Sequence, residues 1–194
     1  MIHTDGAYQR IIDETRQWVE RAVIGLNLCP FAKAVQVKDQ VRYAVSDATD
    51  EEGVLTDLES ELLLLSETDP ESIDTTLLIL PDALNDFYDF NDFEDYSDRL
   101  LKRMRLVGDL QVATFHPNFQ FADTDPDDIE NCTNRSPHPI LHILREDSID
   151  RAVEAFADAS EIYEKNIATL QRLGWEGWRK LMSNGLASTS RRKL

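Results

Sequence analysis

Cysteine is almost missing from this chain. Its two thiols, Cys29 and Cys132, are too few for a disulfide framework, so the fold must rest on its core. Glycine is sparse as well, and none of it is arranged as GxGxxG, as a Walker loop or as GxSxG. Those absences remove dinucleotide and P-loop chemistry and name no cofactor. CxxC, HxH and HExxH spacings are missing too, so no sequence pattern points to a metal site. The acidic stretch LNDFYDFNDFEDY lacks the glycine and the ligand spacing of an EF-hand. No segment approaches the ~20 apolar residues that span a bilayer. The opening MIHTDGAYQR has no apolar run of signal-peptide length, so a cytoplasmic protein without a membrane partner is expected. Positive charge is the last shortage: 20 Lys and Arg face 37 Asp and Glu, a net charge of −17. A field of that sign repels phosphodiester backbones, so nucleic acid is not an expected partner.

What remains is the composition of an ordinary globular chain, 42% hydrophobic and long enough to bury a core without cross-links. One domain over residues 1–184 is expected, with residues 185–194 as a polar, basic, disordered tail. Ile11, Thr15, Trp18 and Ala22 share a stripe that predicts a helix from Asp5 to Ile24, with Gly25 as its stop. Val41 to Ser46 alternates as a strand. Thr49 and Glu52 have capping-box spacing before a helix whose apolar face is Leu55, Leu58, Leu62 and Leu65. TTLLILP, from Thr75 to Pro81, is the nearly unbroken apolar run of a strand buried on both faces. Asn91 and Glu94 repeat the capping spacing ahead of Phe93, Tyr96, Leu100, Leu101 and Met104. Leu110–Phe115 and Ile140–Leu144 read as the third and fourth strands, and helices run from Ile149 to Phe156, from Ser160 to Leu173 and through GWEGWRKLM. The expected fold is α/β: a four-stranded mixed sheet, three parallel strands plus one antiparallel, packed with helices in two or three layers.

Between the last two strands lie residues 116–139, without periodicity. A connection that long in a compact domain is functional or loosely ordered. Within it, NCTNRSPHP sets Arg135 among Asn131, Asn134 and Ser136, donors suited to a carboxylate or phosphate. Ligands of open α/β sheets gather outside the carboxyl ends of the strands. His116 ends the third strand there, and an antiparallel fourth strand starts at the same edge. His116 is thus a candidate acid or base. Cys29, in a Pro-bounded turn, is a candidate nucleophile if exposed and otherwise a small core residue. His142 alternates with Ile140 and Leu144 as a core histidine would, and Arg145 and Glu146 point to the opposite edge.

Three segments, GLNLCPFAK (Gly25–Lys33), ATFHPNFQFA (Ala113–Ala122) and NCTNRSPHPILHILRE (Asn131–Glu146), resemble the bacterial and plastid family named domain of unknown function 1415. The resemblance extends through TTLLILP and NIATLQRLGWEGW (Asn166–Trp178) and covers nearly the whole chain. It brings no activity with it. It implies that Cys29, Pro30, His116, Pro117, Asn131, Asn134, Arg135, Ser136, Pro137, His142, Arg145 and Glu146 match the family pattern. Cys132 and His138 depart from that pattern, which weakens a redox pairing of Cys29 with Cys132 and returns weight to His142.

Four functional expectations stand side by side. The first is a small enzyme on an anionic metabolite, with Asn131, Asn134, Arg135 and Ser136 as the anion clamp, His116 as acid or base and Cys29 as nucleophile. The second is a non-catalytic anion-binding or regulatory module on the same loop. The third is a metal protein using Cys29, His116 and His142. The fourth is a loop that only clasps itself. The sequence leaves the oligomeric state open.

Overall fold

Four strands, β1 (Val41–Val45), β2 (Thr75–Ile79), β3 (Leu110–Phe115) and β4 (Ile140–Arg145), form one mixed sheet in the order β1-β2-β4-β3. The structure, a computed structural model, describes residues 5–154 and 160–183. β1 pairs with β2 in parallel, and β4 is antiparallel to both of its neighbours, β2 and β3. The sheet therefore contains one parallel pair, not the three parallel strands expected. The reason lies in the strands' own chemistry. TTLLI and ILHILR are apolar on both faces and take the centre, whereas VRYAV and LQVATF carry polar residues and take the edges. β2 is buried along its whole length.

Side chains alternate to the two faces of the sheet and divide the core. On one face, Leu78, Leu141 and Ile143 meet α3 (Glu51–Glu67), α4 (Phe87–Asp92) and α5 (Glu94–Met104) through Leu58, Leu62, Phe90 and Leu100. On the other, Leu77, Ile79 and Ile140 meet α1 (Asp5–Trp18), the π-helical turn that continues it (Val19–Ile24) and α7 (Ser160–Ser183). Trp18, Ala22 and Leu170 fill that second layer. The short α2 (Ala32–Val37) follows the π turn, and α6 (Glu146–Val153) follows β4 directly.

Several boundaries differ from the sequence reading for local reasons. Asp50, not Thr49, caps α3, its carboxylate accepting from the Gly53 N–H at 2.8 Å. The DALNDFYDF connector holds α4, capped by Asp86 through the N–H groups of Tyr88 and Asp89; α5 then starts without a side-chain cap, so Asn91 has no capping role. α6 begins at Glu146, three residues before the expected start; the expected end at Phe156 and the tail at 185–194 lie outside the described residues. Gly25 is not a left-handed stop. Its φ is −63°, and Asn27 (φ 55°) makes the reversal. Glycine is needed at position 25 because a Cβ there would sit 2.2 Å from the Arg21 carbonyl oxygen, where the wide π turn closes. Among the described residues no helix is long and apolar enough to cross a membrane.

Gly174 breaks α7 at φ 64°, ψ 173°, a backbone region essentially closed to other residues. The break redirects the chain ahead of the final segment, Trp175 to Ser183, whose Trp178 packs in the second core layer. No atom lies within 4 Å of a Cβ built there, so substitution carries a purely conformational cost. Gly174→Ala should lower stability by about 1–3 kcal/mol; urea unfolding should show a reduced midpoint with an unchanged slope.

Candidate functional site

Residues 116–139 carry the chain from β3 to β4 across the sheet edge where β1 and β2 also end. A loop of that length has many backbone groups to satisfy, and its conspicuous residues do so. The Asn131 carboxamide is fully buried: its Oδ1 accepts from the Phe121 N–H and the Thr124 hydroxyl, each at 2.9 Å, and its Nδ2 donates to the Asp125 carbonyl at 2.8 Å. Asn134 donates to the Thr114 carbonyl and accepts from the His116 N–H, tying the loop to the end of β3. The Ser136 hydroxyl donates to the His138 carbonyl. Arg135 donates from Nε to Phe119 and from Nη2 to Pro126, at 3.1 and 2.7 Å, and its guanidinium lies 5.6 Å from the Trp175 ring centre. Asn131, Asn134, Arg135 and Ser136 thus share one loop, as expected, and use much of their hydrogen-bonding capacity within it.

His116 is fully buried. Its Nδ1 accepts from the Asn118 N–H at 3.0 Å, so the proton sits on Nε2, which faces the Leu84 carbonyl at 3.3 Å. Phe87 and Phe90 of α4 enclose the ring. Burial lowers its pKa from the ordinary histidine value, opposed by the backbone at Leu84 and Asn85 and by Asp86. Cys29 packs on the opposite face of the sheet, beside Trp18 and Leu28. Burial raises its thiol pKa, opposed by the backbone at Phe31 and Ala32. The two candidate catalytic residues are therefore not brought together. Cys132 is buried in the same layer as Cys29, its thiol pushed up to about 11 by burial despite Arg135.

The second group of candidates also has structural partners. Thr75 Oγ1 donates its one proton to the Ile143 carbonyl, so His142 Nε2 must donate to Thr75 Oγ1, both at 2.7 Å. Burial pushes the His142 pKa down to about 4. Arg145 donates to the carbonyls of Leu65, Thr68 and Ile73. α3 has no basic residue in its last turn, and Arg145 supplies that charge from β4. Glu146 begins α6, its N–H donating to the Asp109 carbonyl. Cys29, His116 and His142 do not converge, and among the described residues no three His, Cys, Asp or Glu side chains are placed to hold a metal ion.

A different set of residues forms a cleft beside the loop. It has a volume of about 680 Å³ and is lined by Trp18 and Arg21 from α1 and its π turn, by Arg135 and Ser136 from the loop, and by Trp175, Trp178 and Arg179 beyond the Gly174 break. All three tryptophans of the chain line it. Arg21 Nη1 is buried there without a hydrogen-bond partner. Among the described residues none of the three arginines forms a salt bridge, although the chain has carboxylates in excess. Glu14 is the lining carboxylate, and its Oε2 lies 3.1 Å from His138 Nε2. The Trp175 indole N–H donates to the Asp127 carbonyl at 3.0 Å, pinning the final segment to the loop. Sequence reading found Arg135 and Ser136 but missed Arg21, Arg179 and the tryptophans. The available signal was spacing: Trp18 and Arg21, and Trp175, Trp178 and Arg179, each recur at one helical turn.

The pKa directions have consequences for stability. His116 and His142 both have folded values below the unfolded ~6.5. The unfolded chain therefore takes up protons that the folded chain refuses, and stability present above that pH is lost as pH falls. For His142 the window runs from there to about 4, at a limiting slope of about 1.4 kcal/mol per pH unit. His142→Gln should flatten the fall, read by urea unfolding at neutral and mildly acid pH. Cys29, in a Cys132→Ser background, should alkylate with a pH midpoint above that of a free thiol, and His116→Gln should leave the midpoint where it is.

No curated protein and no solved structure matches the chain. A family model does match, over residues 10–180, that of the protein of unknown function DUF1415. With most of its length matched, from α1 to the final helical segment, the chain belongs to the DUF1415 family.

Proposed function

We propose that the protein binds a small anionic ligand in the cleft between the π turn, the 116–139 loop and the final helical segment. The observation that carries this reading is Arg21 Nη1, a buried cationic donor without a partner. Arg21 is half-buried, and one buried donor left without a partner costs about 1–3 kcal/mol; an anion toward which the guanidinium turned would remove that cost. The surroundings support it: Arg135 and Arg179 line the same cleft, whose volume of about 680 Å³ suits a small molecule. Arg21 sits on a π-helical turn, a departure from α geometry that recurs at functional sites. This is the anion clamp expected around Arg135, with Arg21 and Arg179 added and Asn131 and Asn134 acting as its scaffold.

Binding has more support than catalysis. Both ring nitrogens of His116 face backbone partners, and Cys29 has a raised thiol pKa on the other face of the sheet. Neither residue lines the cleft.

Thermal unfolding in sodium phosphate, sulfate or benzoate, against chloride at matched ionic strength, tests the reading. An anion at about 100 times its Kd should add about 2.7 kcal/mol, raising the Tm by several degrees at this chain length. Arg21→Gln should abolish that rise and should raise the unliganded Tm, because the unpaired buried donor is gone. Arg135→Ala should lower both, because Arg135 also bonds the loop carbonyls of Phe119 and Pro126. A Tm indifferent to every anion would exclude the proposal.

A further inference from the structure

We infer that the ligand is a dianion carried on a flat apolar body, of which an aryl phosphate monoester is the simplest form. This inference rests on the anion-binding reading and specifies its ligand class. Charge is the first argument. Arg21, Arg135 and Arg179 line the cleft against one lining carboxylate, Glu14, so three positive charges less one negative leave a surplus of two. Glu14 is itself engaged with His138 Nε2. A monocarboxylate would neutralise half of that surplus. A phosphate monoester carries about −1.5 to −2 near neutral pH and offers three acceptor oxygens. Guanidinium forks match such oxygens in pairs.

Shape is the second argument. The apolar part of the wall is Trp18, Trp175, Trp178, Leu181, Met182 and the prolines Pro117 and Pro137, beside the polar Glu14, Gln17, Ser136 and Ser183. Trp18 and Trp178 are held in the core layer at 3% and 7% exposure and present only narrow edges to the cleft, whereas Trp175 is half-buried and offers the larger indole surface. Arg135 lies over the Trp175 ring and orients its charge at the boundary between polar and apolar walls. A planar ring would meet Trp175 and the edges of Trp18 and Trp178, with Met182 adapting to its outline. Inorganic phosphate would leave those walls uncovered, and a neutral ring would leave Arg21 unpaired.

Tryptophan fluorescence gives a direct test, since every tryptophan of the chain lines this cleft and no other contributes. The intact protein is titrated with phenyl phosphate, benzoate, inorganic phosphate and phenol at constant ionic strength. Phenyl phosphate should bind at least about tenfold tighter than benzoate or inorganic phosphate, a difference of about 1.4 kcal/mol, and phenol should leave the emission unchanged. Arg179 is exposed, so Arg179→Gln should fold normally. It should weaken phenyl phosphate about tenfold and benzoate by less. Benzoate binding as tightly as phenyl phosphate, or equal losses of both in Arg179→Gln, would overturn the dianion and leave the anion site standing. Inorganic phosphate binding as tightly as phenyl phosphate would overturn the flat body alone. No response to any of the three anions, in fluorescence or Tm, would remove the site and this inference with it.

Discussion

The buried Asn131 carboxamide is the interaction on which the loop at the sheet edge depends. β4 lies between β2 and β3, so the chain must leave β3, cross the sheet edge and return antiparallel. Residues 116–139 do this with a single short 3-10 helix, Ile129–Thr133, and cannot use a sheet ladder to satisfy their backbone. One amide with two acceptor sites and two donors can close such a loop on itself. Asn131 collects Phe121, Thr124 and Asp125, and aspartate, lacking the donors, could not make the last of these bonds. Asn134 then fixes the loop to β3. Once the loop is closed, Arg135 can bond Phe119 and Pro126 and lie over Trp175, which completes the cleft wall.

The two faces of the sheet do different work. On the α3–α5 side, His116 and Arg145 are clasps: one anchors the end of β3 to Leu84, the other neutralises the carboxyl end of α3. On the α1–α7 side the tryptophans Trp18 and Trp178 of the core layer also line the cleft, together with three arginines and one carboxylate, Glu14. Gly25 and Gly174 each serve that side. The first lets the π turn close over the Arg21 carbonyl, and the second turns the final segment back toward the loop.

Periodicity made the elements legible. The Leu58, Leu62, Leu65 stripe, the uninterrupted TTLLI run and the alternation in VRYAVS each predicted an element, and each element lies where its pattern puts it. Strand order was not legible, because pairing is decided between segments far apart in sequence. The polarity of the edge strands held the clue: Arg42 and Gln111 argue against central positions, and ILHILR is the better neighbour for β2. The site was half legible. Arg135 and Ser136 were found because unusual residues cluster in NCTNRSPHP, yet their neighbours Asn131 and Asn134 proved to be the loop's internal supports. His116 was singled out by its place at the end of β3 and Cys29 by its Pro-bounded turn, and a shared edge does not put two side chains on the same face of the sheet. Arg21 and Arg179 escaped because each looks like one more charge on a helix surface until the Gly174 break brings the two segments to one cleft.

The overall acidity does not oppose an anion site of this construction. At physiological ionic strength exposed charges are screened over ~8 Å, so a ligand seated against Arg21 responds to the guanidiniums beside it rather than to the carboxylates of distant helices. Outside the cleft the sign reverses. A polyanion long enough to leave the cleft would lie along a surface whose formal charge is −17 for the whole chain, and each added phosphate would meet more repulsion. A small anion escapes that penalty because it ends where the arginines end. Local cations inside a strongly acidic chain are therefore a size filter as well as a charge filter. The surplus of carboxylates, which argues against nucleic acid as a partner, would make such a site selective.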